Sequence, residues 1–184
     1  MRRILLFLTL LTLKVLTVSS QDLAYPNVPV YTAKTNEGLV STAEYNSGFG
    51  FGNTSVPYSR RFSGFTVLIG YKIDRSFIIS GGAGLSVYND GALIPLFVDL
   101  RYTFYISRLA PYLYSDGGFL MNFSRFDDLK IFMNPGMGVR YSITQKIAVN
   151  LSTGIMVQSG ASAQSETSAQ NAFLSLKTGV TYKF

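Results

Sequence analysis

Groups able to carry covalent or metal chemistry are scarce in this chain of 184 residues, which has no His, no Cys and no Trp. Without His it lacks the commonest general base and the commonest metal ligand. Without Cys it has no thiolate nucleophile, no thiolate metal site, no disulfide and no lipidated cysteine anchor. Ser-His, Cys-His and zinc-histidine enzymes are thereby excluded. Asp127, Asp128 and Glu166 are too sparse to argue for calcium. Two glycine-rich runs, Gly48-Phe-Gly50-Phe-Gly52 and Gly81-Gly82-Ala-Gly84, look like phosphate loops only superficially. Neither completes G-x-G-x-x-G, and no helix follows either. Close packing inside a small barrel, or a bulge, accounts for both. The sequence therefore points to no enzyme, no cofactor and no metal.

The chemistry left is charge pairing, and it depends on which elements hold the charges. From Gly38 onward the chain reads as eight segments of alternating polarity, about 38–52, 62–73, 77–88, 94–105, 111–124, 131–143, 147–159 and 172–184. In the fourth, Ile94, Leu96, Val98, Leu100, Tyr102 and Phe104 share one face, and Asp99, Arg101 and Thr103 the other. A period of two means strands, not helices. The sixth and seventh alternate in the same way, while Leu68 and Ile78 break the polar faces of the second and third. With 14 Phe, 12 Tyr and 17 Gly, the composition also leans to an all-β protein.

Connections at 74–76, 106–110 and 144–146 are tight. Those at 53–61 and 161–171 are longer, with shorter ones at 89–93 and 125–130. Each segment is long enough for a tilted membrane-crossing strand, which takes roughly 9–11 residues. Short turns on one rim and longer loops on the other suit an eight-stranded antiparallel transmembrane up-and-down β-barrel with both termini periplasmic. A soluble barrel with its apolar face inward fits the same alternation. Three features favour the membrane form. The chain carries an export signal. The residues opposite the apolar face are small or charged. Aromatics gather near both rims: Tyr71, Phe77, Tyr102, Phe104, Tyr141, Tyr182 and Phe184 by the short turns, and Phe49, Phe51, Phe62, Phe119, Phe123 and Phe173 by the loops.

That export signal is residues 1–20. Arg2 and Arg3 precede an apolar run too short to span a bilayer, and Val18-Ser19-Ser20 supplies small residues for cleavage near Ser20. Removing it takes three of the 16 basic residues and leaves 13 against 10 acidic, a net charge of +3, too mild to suggest nucleic acid. Residues 21–37, with Pro26 and Pro29, read as an extended periplasmic lead-in. The barrel domain is 38–184.

The chain ends Lys177-Thr-Gly179-Val-Thr-Tyr182-Lys-Phe184. This resembles the C-terminal assembly signal of bacterial outer-membrane barrels, with Lys177, Gly179, Tyr182 and Phe184 filling its four positions. The resemblance implies recognition by the barrel-assembly machinery. Over residues 38–184 the chain resembles the small eight-stranded OmpA/OmpX-like group. It is most similar to the "outer membrane beta-barrel protein" families of Bacteroidota. The likeness is strongest in Pro95-Leu-Phe-Val-Asp99-Leu-Arg101-Tyr-Thr-Phe and Pro111-Tyr-Leu-Tyr-Ser-Asp-Gly-Gly118. In such a protein the sequons at Asn53, Asn122 and Asn150 are incidental.

Alternation places Glu44, Asp99, Asp116, Arg101, Arg140 and Lys177 on inward faces, three acids and three bases. Isolated charges in a narrow lumen are unfavourable, so a salt-bridge network centred on Asp99, Arg101 and Arg140 is expected. Arg60, Arg61, Arg125 and Lys130 fall near the loop rim, as solvated side chains or as contacts to lipid A phosphates. The reading that follows is a non-enzymatic integral outer-membrane barrel with a structural, adhesive or accessory role. Its partners are outer-membrane lipid, the assembly machinery and other envelope proteins. A narrow channel is the alternative, and a lipid-modifying barrel enzyme stands behind both. An eight-stranded lumen is just wide enough for side chains to fill, which argues against a general pore.

Overall fold

The computed structural model describes residues 37–51, 58, 60–104, 108–122, 129–160 and 170–184. The export signal and nearly all of the lead-in lie outside these residues. So do Phe123, Arg125, the Asp127-Asp128 pair and Glu166. Eight strands follow in order: β1 (Gly38–Gly50), β2 (Arg61–Lys72), β3 (Phe77–Tyr88), β4 (Gly91–Thr103), β5 (Leu109–Asn122), β6 (Leu129–Ser142), β7 (Ile147–Gly160) and β8 (Gln170–Lys183). Each pairs antiparallel with its sequence neighbour, and β1 pairs with β8 from Val40↔Lys183 to Gly50↔Phe173, closing the barrel.

Each alternating segment of the sequence corresponds to one strand, because one face of every strand is buried and the register cannot slip by one without inverting it. The two faces are inverted relative to a water-soluble barrel. In β2 the outward Phe65 is 67% exposed while the inward Leu68 is 2% exposed. Outward Met137 and Leu151 are likewise open, whereas inward Asp99, Asn150 and Thr181 are buried.

Two prolines interrupt the ladders without moving them. Pairing of β3 with β4 stops at Ala83↔Leu96 and resumes at Ser86↔Leu93, skipping Pro95. Pairing of β6 with β7 stops at Met133↔Val157 and resumes at Gly136↔Gly154, skipping Pro135. Proline has no N–H to donate, so the gaps fall where its bonds would be. The same register holds on both sides of each gap.

The connection after β3 departs from expectation. Asn-Asp-Gly at 89–91 suggests a five-residue loop, yet Gly91, Ala92 and Leu93 already pair with Tyr88, Val87 and Ser86. Only Asn89 and Asp90 form the turn, so the loop rim carries one connection shorter than any on the opposite rim. A two-residue hairpin demands unusual backbone angles. Gly91, the first residue of β4 after the turn, has φ of +148°.

Candidate functional site

The inward side chains fill the barrel in two layers. The layer nearer the short turns is mainly polar, although Val40, Ile78, Ala110 and Ala148 are also buried towards that end. Arg101 on β4 reaches Glu44 on β1, Nη2 to Oε1 at 3.0 Å, and Asp99 Oδ2 at 3.3 Å. Lys177 on β8 forms a second ion pair with Asp116 on β5. All four strands are brought together because Asp99 lies opposite Asp116 in the β4–β5 register and Glu44 lies opposite Gly179 in the β1–β8 register. Arg140 is buried on the same face of β6. Arg101 joins two carboxylates, those of Glu44 and Asp99.

Neutral groups extend this layer around the wall. Asn46 Nδ2 donates to Thr66 Oγ1 at 2.9 Å, Asn150 Nδ2 to Thr181 Oγ1 at 2.7 Å, and Thr42 and Thr181 share a 2.9 Å contact. Ser175 Oγ donates to Asn134 Oδ1 at 2.9 Å, and Asn134 Nδ2 donates to Asp116 at 3.3 Å. Two tyrosines lie against the cations: Arg101 over Tyr112 at 4.9 Å and Lys177 over Tyr114 at 4.3 Å from the ring centroids. These rings occupy space left by glycines, since a Cβ on Gly138 would overlap Tyr112 and one on Gly136 would overlap Tyr114. Tyr112 and Tyr114 are not among the sequence candidates. Their phase with Asp116 in β5 was the available signal.

The layer nearer the loops is apolar. Phe62, Tyr88, Leu93, Phe97, Leu120, Phe132, Met156 and Phe173 form one cluster. This corrects the expected loop-rim belt. Phe62 and Phe173 do not face lipid, being 5% and 0% exposed, and their rings pack edge to face at 5.4 Å inside the barrel. The reason is phase: Phe62 alternates with Gly64 and Thr66, and Phe173 with Ser175 and Lys177. Inward glycines again make the room. A Cβ on Gly48 would overlap Phe62, and one on Gly82 would overlap Phe97. Gly48 and Gly82, one from each glycine-rich run, are thus seats for aromatic rings. Phe49, Phe51 and Phe119 do face outward near the loops, as do Tyr71, Tyr102, Phe104, Tyr141, Tyr182 and Phe184 near the short turns.

Tyr58 covers the apolar layer. Its backbone N–H donates to Asp90 Oδ2 at 3.1 Å, its carbonyl accepts from Gln158 Nε2 at 2.9 Å, and its hydroxyl accepts from Asn122 Nδ2 at 3.3 Å. Its ring meets Tyr88 edge to face at 5.4 Å, with Lys130 Nζ 4.4 Å from its centroid. Tyr58 has φ of +63°, a left-handed conformation that a non-glycine residue adopts only when its surroundings hold it there.

Lys130 is therefore corrected as a rim residue facing lipid phosphates. Strand β6 begins at Leu129, Lys130 shares the inward phase of Phe132, and the side chain is 8% exposed. Arg60 and Arg61 are exposed at the loop rim, and Arg125 lies outside the described residues. In β8, Lys177 and Gly179 face inward, while Val180, Tyr182 and Phe184 face outward. Among the described residues, no group of acidic, His or Cys side chains is placed to hold a metal ion.

Fold and lumen together define a closed eight-stranded antiparallel barrel with an apolar exterior and a filled interior. The chain is similar to Neisserial surface protein A, with TM-score 0.55 and 17% identity over 80% of this chain and 97% of that one. Other similar structures are the outer membrane protein AlkL in lipid bilayers (TM-score 0.48, 16% identity, 87% of this chain, 96% of that one) and the N-terminal β-barrel domain of Pseudomonas aeruginosa OprF (0.44, 17%, 80% and 98%). At 17% identity the likeness to Neisserial surface protein A is one of fold. No protein-family model and no curated protein matches the chain.

Proposed function

We propose that this protein is a non-conducting, non-enzymatic integral barrel of the bacterial outer membrane, exported by residues 1–20 and inserted with both termini in the periplasm. Its role is structural, adhesive or accessory, alone or within an envelope complex. The observation that carries this reading is the pairing of an apolar exterior with a lumen filled twice over. Exposed Phe65, Leu151 and Met137 suit acyl chains, because an apolar surface of this extent is unfavourable in water. Inside, the aromatic cluster beneath Tyr58 stands above the ion pairs of Arg101 and Lys177.

Several finer assignments belong to this proposal. The barrel-assembly machinery reads Lys177, Gly179, Tyr182 and Phe184. Arg60 and Arg61 meet lipid A phosphates at the loop rim, and Arg125, outside the described residues, is assigned the same contact. The resemblance to Bacteroidota barrels supports placement in that group. Planar-bilayer recording of protein refolded in detergent tests the central statement. No conductance steps are expected, and regular single-channel steps would instead establish the narrow-channel reading.

A further inference from the structure

The two rims differ in charge. The short connections 73–76, 104–108 and 143–146 contain Arg75, Arg108 and Lys146 against Asp74. The connections of the opposite rim, with the strand end at Arg61, contain Arg60, Arg61 and Arg125 against Asp90, Asp127, Asp128 and Glu166. Lys72 ends β2 and Lys183 ends β8 on the short-turn rim, so every hairpin there contributes at least one cation and the closing strand another.

These cations stand at the level of an aromatic girdle. Outward Tyr71, Tyr102, Phe104, Tyr141, Tyr182 and Phe184 ring the short-turn end. Tyr102 packs on Phe104 at 4.9 Å and Tyr182 on Phe184 at 5.1 Å. Lys146 Nζ lies 6.0 Å from the Tyr182 centroid, which ties the charge ring to the girdle. Aromatic girdles sit at the membrane interface, so cations beside one stand at headgroup depth. Arg75, Arg108 and Lys146 are exposed, and Lys72 and Lys183 are half-buried. Among the described residues, the acidic side chains of this rim are Glu37 and Asp74. Asp74 Oδ1 accepts from the Ser76 and Phe77 N–H groups of its own hairpin at 2.5 and 2.7 Å, and its carboxylate also interacts with the charge of Lys72.

We propose that the short-turn rim is an interaction surface for anionic phospholipid headgroups, with Lys72, Arg75, Arg108, Lys146 and Lys183 as its cations. This rests on the membrane-barrel reading above. Basic side chains at a membrane surface are attracted to anionic lipid, and the attraction falls off within a Debye length.

The test uses the full barrel refolded into vesicles of phosphatidylcholine containing a minor fraction of phosphatidylglycerol. Spin-labelled analogues of the two lipids report which one associates with the barrel surface. Phosphatidylglycerol is expected to be enriched several-fold, and the enrichment should fall as salt rises. Replacing all five cations with Gln should abolish it, the pair R75Q/K146Q should reduce it, and R60Q/R61Q should leave it in place. Equal association of both lipids, or equal loss with R60Q/R61Q, would overturn the proposal. Inorganic phosphate separates a lipid surface from a discrete phosphate site. At matched ionic strength it should act no more strongly than chloride, and selective displacement by phosphate would overturn the lipid assignment. Heat-modifiable gel migration of each variant reports folding separately. A folded barrel without lipid preference defeats this proposal alone, whereas a chain that never becomes heat-modifiable defeats the membrane-barrel reading.

Discussion

Arg101 and Glu44, 57 positions apart in sequence, meet at 3.0 Å across the lumen, with side chains 5% and 2% exposed. Each charge has been taken out of bulk water, so each depends on its partner. Arg101→Met is expected to destabilise the barrel by about 3–5 kcal/mol, because it strands Glu44 and Asp99 together. Adding Glu44→Gln to that variant should recover part of the loss. Urea unfolding in detergent checks both. A loss below ~1 kcal/mol for the single variant would mean that water already solvates these groups.

Phe173 is the most completely enclosed ring of the outer layer and touches both Phe62 and Tyr88. Phe173→Ala should cost about 3–5 kcal/mol through lost burial and the cavity left behind. It should still not open a conducting path, since the ion-paired layer lies below. Unfolding and planar-bilayer recording on the same preparation separate the two statements.

Tyr58 is held by three hydrogen bonds and two ring contacts. Two of those bonds use its backbone. Tyr58→Phe removes only the hydroxyl contact to Asn122 and should cost about 0.5–1.5 kcal/mol. Tyr58→Ala also uncovers Tyr88 and Lys130. It should speed access of small quenchers or proteases to the loop rim while the strands stay protected from hydrogen exchange.

Asp74 provides a pH marker outside the membrane. The backbone N–H of Phe77 and then that of Ser76 stabilise its carboxylate and hold its pKa below the ordinary 3.8, against a small opposing effect of burial. A depressed folded pKa means the contribution is fully present above the ordinary value and lost as pH falls through the lower, folded value. The Ser76 and Phe77 amide resonances should therefore titrate with midpoints below 3.8. Asp74→Asn should remove that titration. Midpoints at or above the ordinary carboxylate range would contradict the turn geometry.

Phe184 is 63% exposed, its N–H donates to Leu39 O at 3.2 Å, and its ring rests on Tyr182. Little folded-state packing depends on it. Deleting Phe184 should leave refolding in detergent nearly unchanged but sharply lower the amount in the outer membrane. Unchanged membrane levels on quantitative immunoblots of fractionated cells would remove the assembly role assigned to this residue.

Much of this molecule is local in origin and so legible from the chain. Side chains alternate across a strand with period two, and Ile94 through Phe104 display that period without reference to anything distant. The missing His and Cys exclude whole classes of chemistry whatever the fold. The inward phase of Glu44, Asp99, Arg101, Asp116, Arg140 and Lys177 follows from the same alternation.

What alternation leaves open is anything set by contacts between distant strands. It does not say which face meets water, and only closure of β1 on β8 put Phe65 outside and Asp99 inside. It does not pair charges. Arg101 found Glu44 because the β1–β8 seam brings β1 around to face β4 across the lumen. Phe62 and Phe173 look like rim aromatics by position, yet they fill the lumen because Gly48 opposite Phe62 leaves room for a ring. Lys130 looks like a rim cation, yet it turns inward because β6 starts two residues earlier than its apolar pattern shows. Periodicity belongs to the backbone and is written in each segment. Partners depend on the shape the closed barrel leaves inside it, and that shape exists only once all eight strands are in place.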